Sequence, residues 1–433
     1  MASYWTKDLH IKQYPTLEKD ISCDVLVIGG GIAGILCAYR LKQQGLHVIL
    51  VEKNRIGMGI TKHTTATITA LQDKLYIDHE RDIGYQNAKS FFEANLMAIQ
   101  EYQKLSKQFS FDFIMQSCIQ YSCKDASLLK KEYDLLTKMG AQVSYHDSCD
   151  ILPFPIQGAI ELANQAVCHP LKLIYALAKD MEIYEKTEII RLKKYLAYTD
   201  KKRIISFRYA IVATHYPSFG KWGGYFAKMH QMRSAVAVSP SYHFSHFYID
   251  IEEGGNYIRN DKECCLIGGM DYDVGDCIPA STLLKDWIQE KMPSEIIDTF
   301  MNQDLITLDG LPYIGKLSHF SKNHFVVTGF NSYGLTSSMI ASILLTDRIK
   351  GITNQYQDLF SPQRKYLWRP FFQHMKKTLK NLLAFGGKRC THLGCKLHYN
   401  PIDKTYECPC HGSRFSYDGK LKNDPAKRNK KRI

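Results

Sequence analysis

Residues 23 to 34 have the sequence Cys23-Asp-Val-Leu-Val-Ile-Gly-Gly-Gly-Ile-Ala-Gly34, an apolar run that leads directly into a glycine-rich turn. The apolar run is of the kind that is buried in a parallel sheet. Residues 35 to 44 then have the pattern of a helix, and residues 47 to 51 have that of a second strand, which ends at Glu52. The stretch therefore predicts a β-α-β unit at the start of an α/β domain.

The glycines have the G-x-G-x-x-G spacing of a dinucleotide-binding turn. Gly29 allows the tight turn, Gly31 lets the backbone approach a pyrophosphate at the helix N-terminus, and Gly34 lets the helix pack close to the strand. Glu52 can accept hydrogen bonds from the hydroxyl groups of a ribose. NAD-binding and FAD-binding domains share this motif, so the motif alone leaves the identity of the dinucleotide open.

Two short boxes near the C-terminus carry metal-ligand side chains. They are Cys390-Thr-His-Leu-Gly-Cys395 and Cys408-Pro-Cys-His-Gly-Ser413, and each offers a thiolate and an imidazole in the same order, with one cysteine left over. This stoichiometry fits a [2Fe–2S] centre of the Rieske kind, in which two cysteines hold one iron and two histidines hold the other. The predicted ligands are Cys390, His392, Cys408 and His411.

A zinc site is the alternative interpretation of these boxes, because cysteine and histidine are also zinc ligands. Zinc modules usually present each pair of ligands two to four residues apart. Here the first pair is Cys-x-His, and six candidate side chains compete for four positions. The pattern therefore favours the iron–sulfur centre.

Both boxes resemble those of the high-potential Rieske class, which carries an extra pair of cysteines. If the boxes form opposed loops, Cys395 and Cys410 would face each other, and a disulfide between them would clamp the loops. Ser413 lies where that family places a hydroxyl donor to a cluster sulfur. Phe415 stands where the family often has a tyrosine, and the loss of that hydrogen bond predicts a lower potential.

Four segments resemble flavoproteins of the D-amino-acid-oxidase and glycine-oxidase superfamily, in the order in which that superfamily has them. They are residues 55–66, 210–215, 309–315 and 328–336. The resemblance covers about residues 20–350 and implies FAD as the dinucleotide. The cofactor-binding residues that the motif and the resemblance imply are Gly29, Gly31, Gly34, Glu52, Lys53, Thr64, Thr65, Gly310, Gly329, Gly334, Leu335 and Thr336.

We therefore predict an α/β protein with a Rossmann-type FAD-binding domain, interleaved with an α+β substrate domain, and a small C-terminal Rieske-like β segment. The interleaving is implied by the resemblance. The predicted boundaries are 1–362 for the FAD-dependent part (nucleotide-binding about 20–70, 165–215 and 300–350; substrate domain about 75–165 and 216–300), 363–387 for a basic linker helix, and 388–433 for the Rieske segment. A segment of that length cannot build an adequate core alone, so its order must come from the cluster, the disulfide and docking.

The resemblances imply an FAD-dependent oxidoreductase with two cofactors, FAD and a [2Fe–2S] cluster. An organic substrate, an amine or an amino acid by family resemblance, would exchange electrons with an external acceptor or donor through the flavin and the cluster. No catalytic residue can be assigned. Arg233 is a candidate anchor for a carboxylate, but a surface charge is the favoured interpretation. His63 is a candidate flavin attachment point or proton donor, but ordinary packing or contact with the pyrophosphate is favoured there. An oxygen-using oxidase with a degenerate Rieske appendage and a non-catalytic redox sensor remain alternatives.

The formal net charge of +13 is concentrated near the C-terminus, where residues 364 to 389 contain eight Lys or Arg and no acid. No recognition helix accompanies this charge, so nucleic acid is not a predicted partner. The favoured interpretation is a linker helix that docks an apolar stripe on the flavin domain. The alternatives are attraction of an acidic electron-transfer protein and peripheral contact with a membrane. The stripe consists of Phe372, Met375, Leu379, Leu382 and Leu383.

The location that we predict is the cytoplasm, because the sequence has no run of 18 apolar residues and no signal-peptide core. Nine cysteines lie outside the two boxes and follow no ligand spacing, so most are expected to be reduced core residues. They are Cys23, Cys37, Cys118, Cys123, Cys149, Cys168, Cys264, Cys265 and Cys277.

Overall fold

The computed structural model describes the chain except residues 1–2, 8, 148–151, 218, 220–222, 253, 366 and 431–433, so Cys149 lies outside the described residues. The described part forms three sheets and eight α-helices, none of which is long and apolar enough to cross a membrane. The helices are α1 (Ile32–Gln43), α2 (Tyr76–Ile83), α3 (Tyr85–Ser106), α4 (Ser127–Lys138), α5 (Pro170–Leu177), α6 (Ala280–Lys291), α7 (Gly334–Lys350) and α8 (Trp368–Leu383).

The first sheet has a parallel centre and carries the glycine-rich turn. Its strands are β1 (Ile21–Ile28), β2 (Val48–Val51), β7 (Glu182–Tyr184), β8 (Ile189–Leu192), β9 (Leu196–Thr199), β10 (Ile204–Val212), β16 (Tyr313–Lys316) and β17 (His324–Thr328). The strand order is β16-β17-β10-β1-β2-β7, and β9 pairs with both β10 and β8. The strand β1 is buried from Val25 to Ile28, as the apolar run predicts, and α1 packs against α7 beside the sheet.

The second sheet is mostly antiparallel. Its strands are β3 (Thr67–Ile68), β4 (Ile114–Ser122), β5 (Val143–His146), β6 (Gly158–Val167), β11 (Met229–Ser239), β12 (Phe247–Asp250), β13 (Tyr257–Asp261), β14 (Cys264–Asp273) and β15 (Asp298–Thr307). They follow the order β15-β11-β14-β13-β12-β4-β6-β3, with β5 paired to β6. Because the chain passes between the first and second sheets several times, the predicted interleaving of two domains is confirmed.

The third sheet is a small antiparallel meander near the C-terminus. It consists of β18 (His398–Asn400), β19 (Thr405–Glu407), β20 (Arg414–Ser416) and β21 (Leu421–Asn423). Its core contains few buried apolar residues, among them Leu397, Phe415 and Ala426, together with the four cysteines of the two boxes. Such a core is too small to hold the segment alone, so contacts with the rest of the chain must contribute.

A buried network of charges joins the third sheet to the second. Arg233 on β11 is 3% exposed, and its Nη1 donates to the carboxylates of Asp403 and Glu407 and to the hydroxyl of Tyr272. Arg414 donates from Nε to Glu407 at 3.0 Å and from Nη2 to Asp403 at 2.8 Å. The favoured interpretation of Arg233 as a surface charge is therefore wrong, because the side chain is buried. The alternative, an anchor for a substrate carboxylate, is wrong as well, because the C-terminal segment already neutralises the guanidinium.

The helix α8 lies against the flavin domain with a different face from the one that we predicted. Its buried residues are His374, whose ring contacts the carbonyl oxygen of Phe226 at 3.1 Å, and Thr378. The predicted apolar stripe is instead mostly exposed to solvent. The interpretation that this stripe docks on the flavin domain is therefore wrong, because a polar face of the helix makes that contact.

The charge network should control the attachment of the third sheet. Replacing Glu407, which is fully buried, by glutamine leaves two guanidinium groups sharing one carboxylate; breaking a buried pair in this way costs about 3–5 kcal/mol. We expect Glu407→Gln to lower the unfolding midpoint and to speed proteolytic cleavage in the C-terminal segment.

The matched control is Glu182→Gln, because Glu182 forms an ion pair with His47 on the surface, where both side chains are largely exposed. Such pairs contribute about 0–1 kcal/mol, so this variant should behave like the unmodified protein. Equal effects of the two substitutions on unfolding and proteolysis would contradict the role of the network.

Candidate active site and metal centre

A groove of about 780 Å³ lies where the strands β1, β10 and β17 end. Among the predicted cofactor-binding residues, Gly29, Gly31, Glu52, Lys53, Thr64, Gly329, Gly334 and Leu335 line it. The other four do not line the groove. Gly34 packs α1 against β1, Gly310 borders a second cavity, the carbonyl oxygen of Thr65 accepts from Arg259, and Thr336 hydrogen-bonds Thr69.

The glycine-rich turn has the shape that a pyrophosphate requires. Gly29 has a φ of +115°, and a Cβ atom there would lie 2.3 Å from the carbonyl oxygen of Ala213. A Cβ on Gly31 would meet only the Thr61 hydroxyl at 3.5 Å, so the groove is open at this point. Gly31 is also the N-cap of α1 and provides no side-chain cap. The N–H of Ile32 donates to the Thr61 hydroxyl at 3.2 Å. A helix N-terminus that faces an open groove fits an anionic phosphate group.

The carboxylate of Glu52 lies at the end of β2, beside the turn. It accepts hydrogen bonds from the backbone N–H groups of Gly30 and Asn54, both at 2.8 Å, and burial raises its pKa. These bonds hold the side chain at the groove, where a ribose would be expected. The residues therefore fit FAD, although the individual contacts remain predictions.

Two histidines also line the groove: His63, a candidate from its sequence, and His215, at the end of the segment 210–215. Burial lowers the pKa of His63 to about 4 and that of His215 to about 4. Both rings are therefore neutral near pH 7, so His63 is not a cationic proton donor. His215 has a φ of 62°, in the left-handed region, and its carbonyl oxygen accepts a hydrogen bond from Thr328.

A second cavity, of about 330 Å³, adjoins the groove, and the two share Asp304 and Ser332 as lining residues. We call it the acidic cavity, because Asp73, Asp271 and Asp304 lie together in its wall. Asp73 is accessible from the cavity itself, whereas Asp271 and Asp304 are half-buried. This site could not be predicted from the sequence, since the three residues lie far apart in the chain and share no motif.

The three carboxylates oppose one another's ionisation. Burial, together with the negative charges of Asp73 and Asp304, raises the pKa of Asp271 to about 8. Burial and Asp73 also raise the pKa of Asp304, to about 6. In the described part of the chain, none of the three forms an ion pair, and Oδ1 of Asp271 is buried without a hydrogen-bond partner. A further acceptor of this wall, Oδ1 of Asn256, is also unpartnered, and Asn256 is only 4% exposed.

The cations in the wall of the acidic cavity already have acidic partners. The Nζ atom of Lys74 lies 2.7 Å from Asp82 and donates to the carbonyl oxygen of Asp309 at 2.9 Å. Arg233 is paired with the two acids of the C-terminal segment. The wall therefore has unpartnered hydrogen-bond acceptors that could bind a cation. Among the described residues that line it, each Lys or Arg already has an acidic partner, so none is available to bind an anion.

The two C-terminal boxes meet in a buried metal centre. Ligand atoms of Cys395, Cys408, Cys410 and His411 lie within 4.8 Å of one another. Cys390 hydrogen-bonds Cys408, and the ring of His392 lies edge-on to that of His411 with centroids 5.0 Å apart. All the predicted ligands are thus brought together, and the assignment of four of them to iron remains a proposal.

Unpartnered atoms at this centre fit a metal cluster. Both ring nitrogens of His411 and Nδ1 of His392 are buried without a hydrogen-bond partner in the described part of the chain. Buried polar atoms normally have partners, so these rings suit a metal. Ser413 hydrogen-bonds the thiol of Cys390, in agreement with the predicted hydroxyl donor to a sulfur.

The predicted disulfide is not present. All the described cysteines are free thiols, Cys395 and Cys410 among them. The side chains of these two cysteines hydrogen-bond each other. Each loop is closed by its own backbone bonds: Cys390 N–H donates to the carbonyl oxygen of Cys395, and Cys408 N–H to that of Ser413, both at 2.8 Å. The loops therefore keep their shape without a covalent clamp.

One side chain connects the groove to the metal centre. Gln231 lines the groove, and its Nε2 donates to the carbonyl oxygens of His411 at 2.8 Å and Asp424 at 3.0 Å. Gln303 donates in the same way to Gly412 at 2.9 Å. Gln231 thus lies between the nucleotide groove and the second box and contacts both.

Comparisons with known proteins agree with both halves of this arrangement. The family model described as FAD dependent oxidoreductase, DAO, matches residues 24–348, and the model for the Rieske [2Fe-2S] domain matches residues 367–432. The protein YhfW of Bacillus subtilis, whose name describes a Rieske 2Fe-2S iron-sulfur protein, is 30% identical over 491 aligned positions, covering 98% of this chain and 96% of its own length.

Solved structures share the fold of the flavoprotein part at low sequence identity. Glycine oxidase from Geobacillus kaustophilus superposes with a TM-score of 0.67 at 16% identity, over 80% of this chain and 100% of its own. L-proline dehydrogenase from P. horikoshii has a TM-score of 0.67 at 18% identity, over 81% of this chain and 98% of its own. The cofactors of the chain are accordingly FAD and a [2Fe–2S] cluster. The chain belongs to the DAO family of FAD dependent oxidoreductases and carries a Rieske [2Fe–2S] domain at its C-terminal end.

Proposed function

We propose that this oxidoreductase oxidises a cationic amine, bound in the acidic cavity, and exchanges the electrons with an external redox partner through the C-terminal centre. The observation that carries the proposal is the cluster of Asp73, Asp271 and Asp304 in a cavity that shares Asp304 and Ser332 with the nucleotide groove. Three carboxylates that form no ion pair with any described residue match a ligand that brings positive charge.

The cavity favours an amine over an α-amino acid. A substrate carboxylate would need a donor such as arginine, and both cations in the wall, Lys74 and Arg233, are already paired with acids. A carboxylate beside Asp73, Asp271 and Asp304 would also be repelled. The preferred substrate is therefore an amine without a nearby carboxylate, and a diamine or polyamine uses the three acids best.

When bound, FAD accepts a hydride and the [2Fe–2S] cluster carries one electron at a time. The side chains of the cavity supply the other requirements. Asp73 and Asp304 attract and orient the cation. Asp271, whose pKa is raised to about 8, ionises as the pH approaches 8 and can then take a proton from the ammonium group and leave the neutral amine that a hydride donor must be.

The contact at Gln231 supports a working relay over an inert appendage. Its side chain donates to two carbonyl oxygens of the Rieske domain while it lines the groove. Lys53, at the other side of the groove, lies 3.5 Å from the carboxylate of Asp424. The placing of the Rieske domain over the groove is thus built into the fold, as electron transfer over a short distance requires.

Amines should reduce the flavin, and the acids of the cavity should decide which ones do. Under exclusion of oxygen, we expect diamines and polyamines to bleach the flavin absorbance faster than glycine, alanine or proline. Asp271→Asn and Asp304→Asn should each lower kcat/KM for a diamine at least about tenfold, because each removes a charge-assisted contact to the ligand.

The matched control is Asp286→Asn, since Asp286 is exposed on α6 away from the cavity. Rapid reduction by α-amino acids with no response to diamines would contradict the proposed substrate class. Fast reoxidation by oxygen with a silent cluster would instead favour the oxidase alternative.

Binding of the amine should depend on pH through Asp271. With a pKa of about 8, this carboxyl gains its negative charge as the pH rises from 7 to 9, while most amines remain protonated. We expect KM for a diamine to fall over this interval, and the fall to disappear in Asp271→Asn. The groups that act on Asp271 are the carboxylates of Asp73 and Asp304, together with the hydroxyl of Tyr257.

The same shift predicts a change in stability that does not depend on any substrate. The raised pKa means that Asp271 binds a proton more tightly in the folded protein than in the unfolded chain, and this proton adds to the free energy of unfolding. The added stability is fully present below about pH 4 and is lost as the pH rises to 8. Asp271→Asn should therefore raise the unfolding midpoint increasingly from pH 4 to 8. A constant difference between variant and parent would show that the carboxyl has an ordinary pKa.

The cluster assignment can be tested separately from the substrate. His392→Ala should abolish the reduced-state EPR signal averaging near g of about 1.9 and lower the iron content, because it removes one imidazole ligand. The FAD absorbance and its bleaching by substrate should persist. His319→Ala is the control, since His319 is exposed on the loop before β17. Zinc in place of iron in the unmodified protein would contradict the Rieske assignment.

A further inference from the structure

The helix α8 divides into three faces, of which only one is explained by the fold. The packed face carries His374 and Thr378, which are buried against the flavin domain. A second face is apolar but exposed. Its side chains, with their exposed fractions, are Trp368 (65%), Phe372 (62%), Leu379 (53%), Leu382 (40%) and Leu383 (65%).

The apolar face extends beyond the helix toward the metal centre. Phe385 follows the end of α8 and is 95% exposed. Leu393 lies between the two ligand residues of the first box and the surplus cysteine, and it too is exposed. Leu382 approaches that box, since a Cβ on Gly394 would lie 3.9 Å from its Cδ1. We call this continuous set of exposed side chains the α8 face.

The third face of the helix is basic. Arg369, Lys376 and Lys380 follow one another at helical spacing beside the apolar side chains, and all three are exposed. Lys365 precedes the helix and is exposed as well. No acidic residue occurs between residues 364 and 389 that could neutralise them locally.

A soluble surface rarely exposes so many large apolar side chains in one patch without a partner. A helix with an aromatic and aliphatic face beside lysine and arginine has the pattern of a segment that lies in the plane of a lipid surface. Tryptophan and phenylalanine suit the headgroup boundary, and the basic side chains suit anionic phosphates. An acidic protein would match the charge but leaves unexplained the length of the exposed apolar row.

We propose that the α8 face binds the surface of a membrane that contains anionic lipids. The apolar side chains enter the headgroup region, and Arg369, Lys376 and Lys380 contact lipid phosphates. The contact is peripheral and reversible, and it presents the first box of the metal centre, with the neighbouring Leu393, to the lipid surface. The inference does not depend on the substrate of the flavin site.

Flotation of the full-length holoprotein with lipid vesicles tests the proposal. We expect binding to vesicles of phosphatidylcholine with about 30% phosphatidylglycerol, and much weaker binding to phosphatidylcholine alone. Lys376→Gln combined with Lys380→Gln should weaken the partition roughly 25-fold, because each basic side chain near an anionic surface contributes roughly fivefold. Leu379→Gln combined with Phe385→Ser should weaken it at least about tenfold.

The matched control is Phe320→Ser, since Phe320 is a phenylalanine of similar exposure, 82%, on the loop before β17. It should leave partition unchanged. All the substituted residues are exposed, so flavin and cluster absorbance serve as the check on folding. Absence of binding to either vesicle, or binding that the α8 variants do not weaken, overturns the proposal. Binding confined to an acidic electron-transfer protein such as a flavodoxin overturns it in favour of protein docking.

Discussion

A buried network of ion pairs positions the Rieske domain on the flavoprotein. It joins Arg233 and Arg414 to Asp403 and Glu407. The third sheet has too small a core to stand alone, so its place relative to the flavin groove depends on contacts with the second sheet. Buried charges are costly to break once paired, and their geometry is specific. The network therefore fixes orientation as well as attachment, and the glutamine contacts of β11 and β15 act within that frame.

The acidic cavity shows the opposite electrostatic situation. None of its three carboxylates forms an ion pair with a described residue, and the protein tolerates them because the raised pKa of Asp271 allows that residue to stay protonated. This arrangement is strained only when the carboxylates ionise together, and a bound cation would relieve that repulsion. Stability and ligand binding thus make opposing demands on the same side chains, as is common at functional sites.

The local parts of the fold could be predicted from the sequence, whereas the parts that depend on long-range contacts could not. The apolar run to Ile28 and the glycine turn predict β1 and α1 because periodicity and turn chemistry are local properties. The strand β11 escaped prediction because Gln231 and Arg233 interrupt its apolar pattern, and these residues are buried only where the C-terminal segment covers them. The ligand boxes could be recognised by their spacing, but the acidic cavity brings Asp73 together with Asp271 and Asp304 from a distant part of the chain. The predicted disulfide and the predicted docking of the apolar stripe of α8 were wrong.

The dependence of the third sheet on Arg233 has a consequence for how such a protein can change. Its Rieske domain is not an interchangeable module, since Glu407 and the carbonyl groups of His411 and Gly412 find their partners on strands of the flavoprotein. Moved to another host by gene fusion, the same segment would lose those partners and expose unpaired charge. Selection should therefore act against recombination at this boundary. The flavoprotein part and the Rieske domain should be inherited together and co-evolve, as the subunits of an obligate complex do.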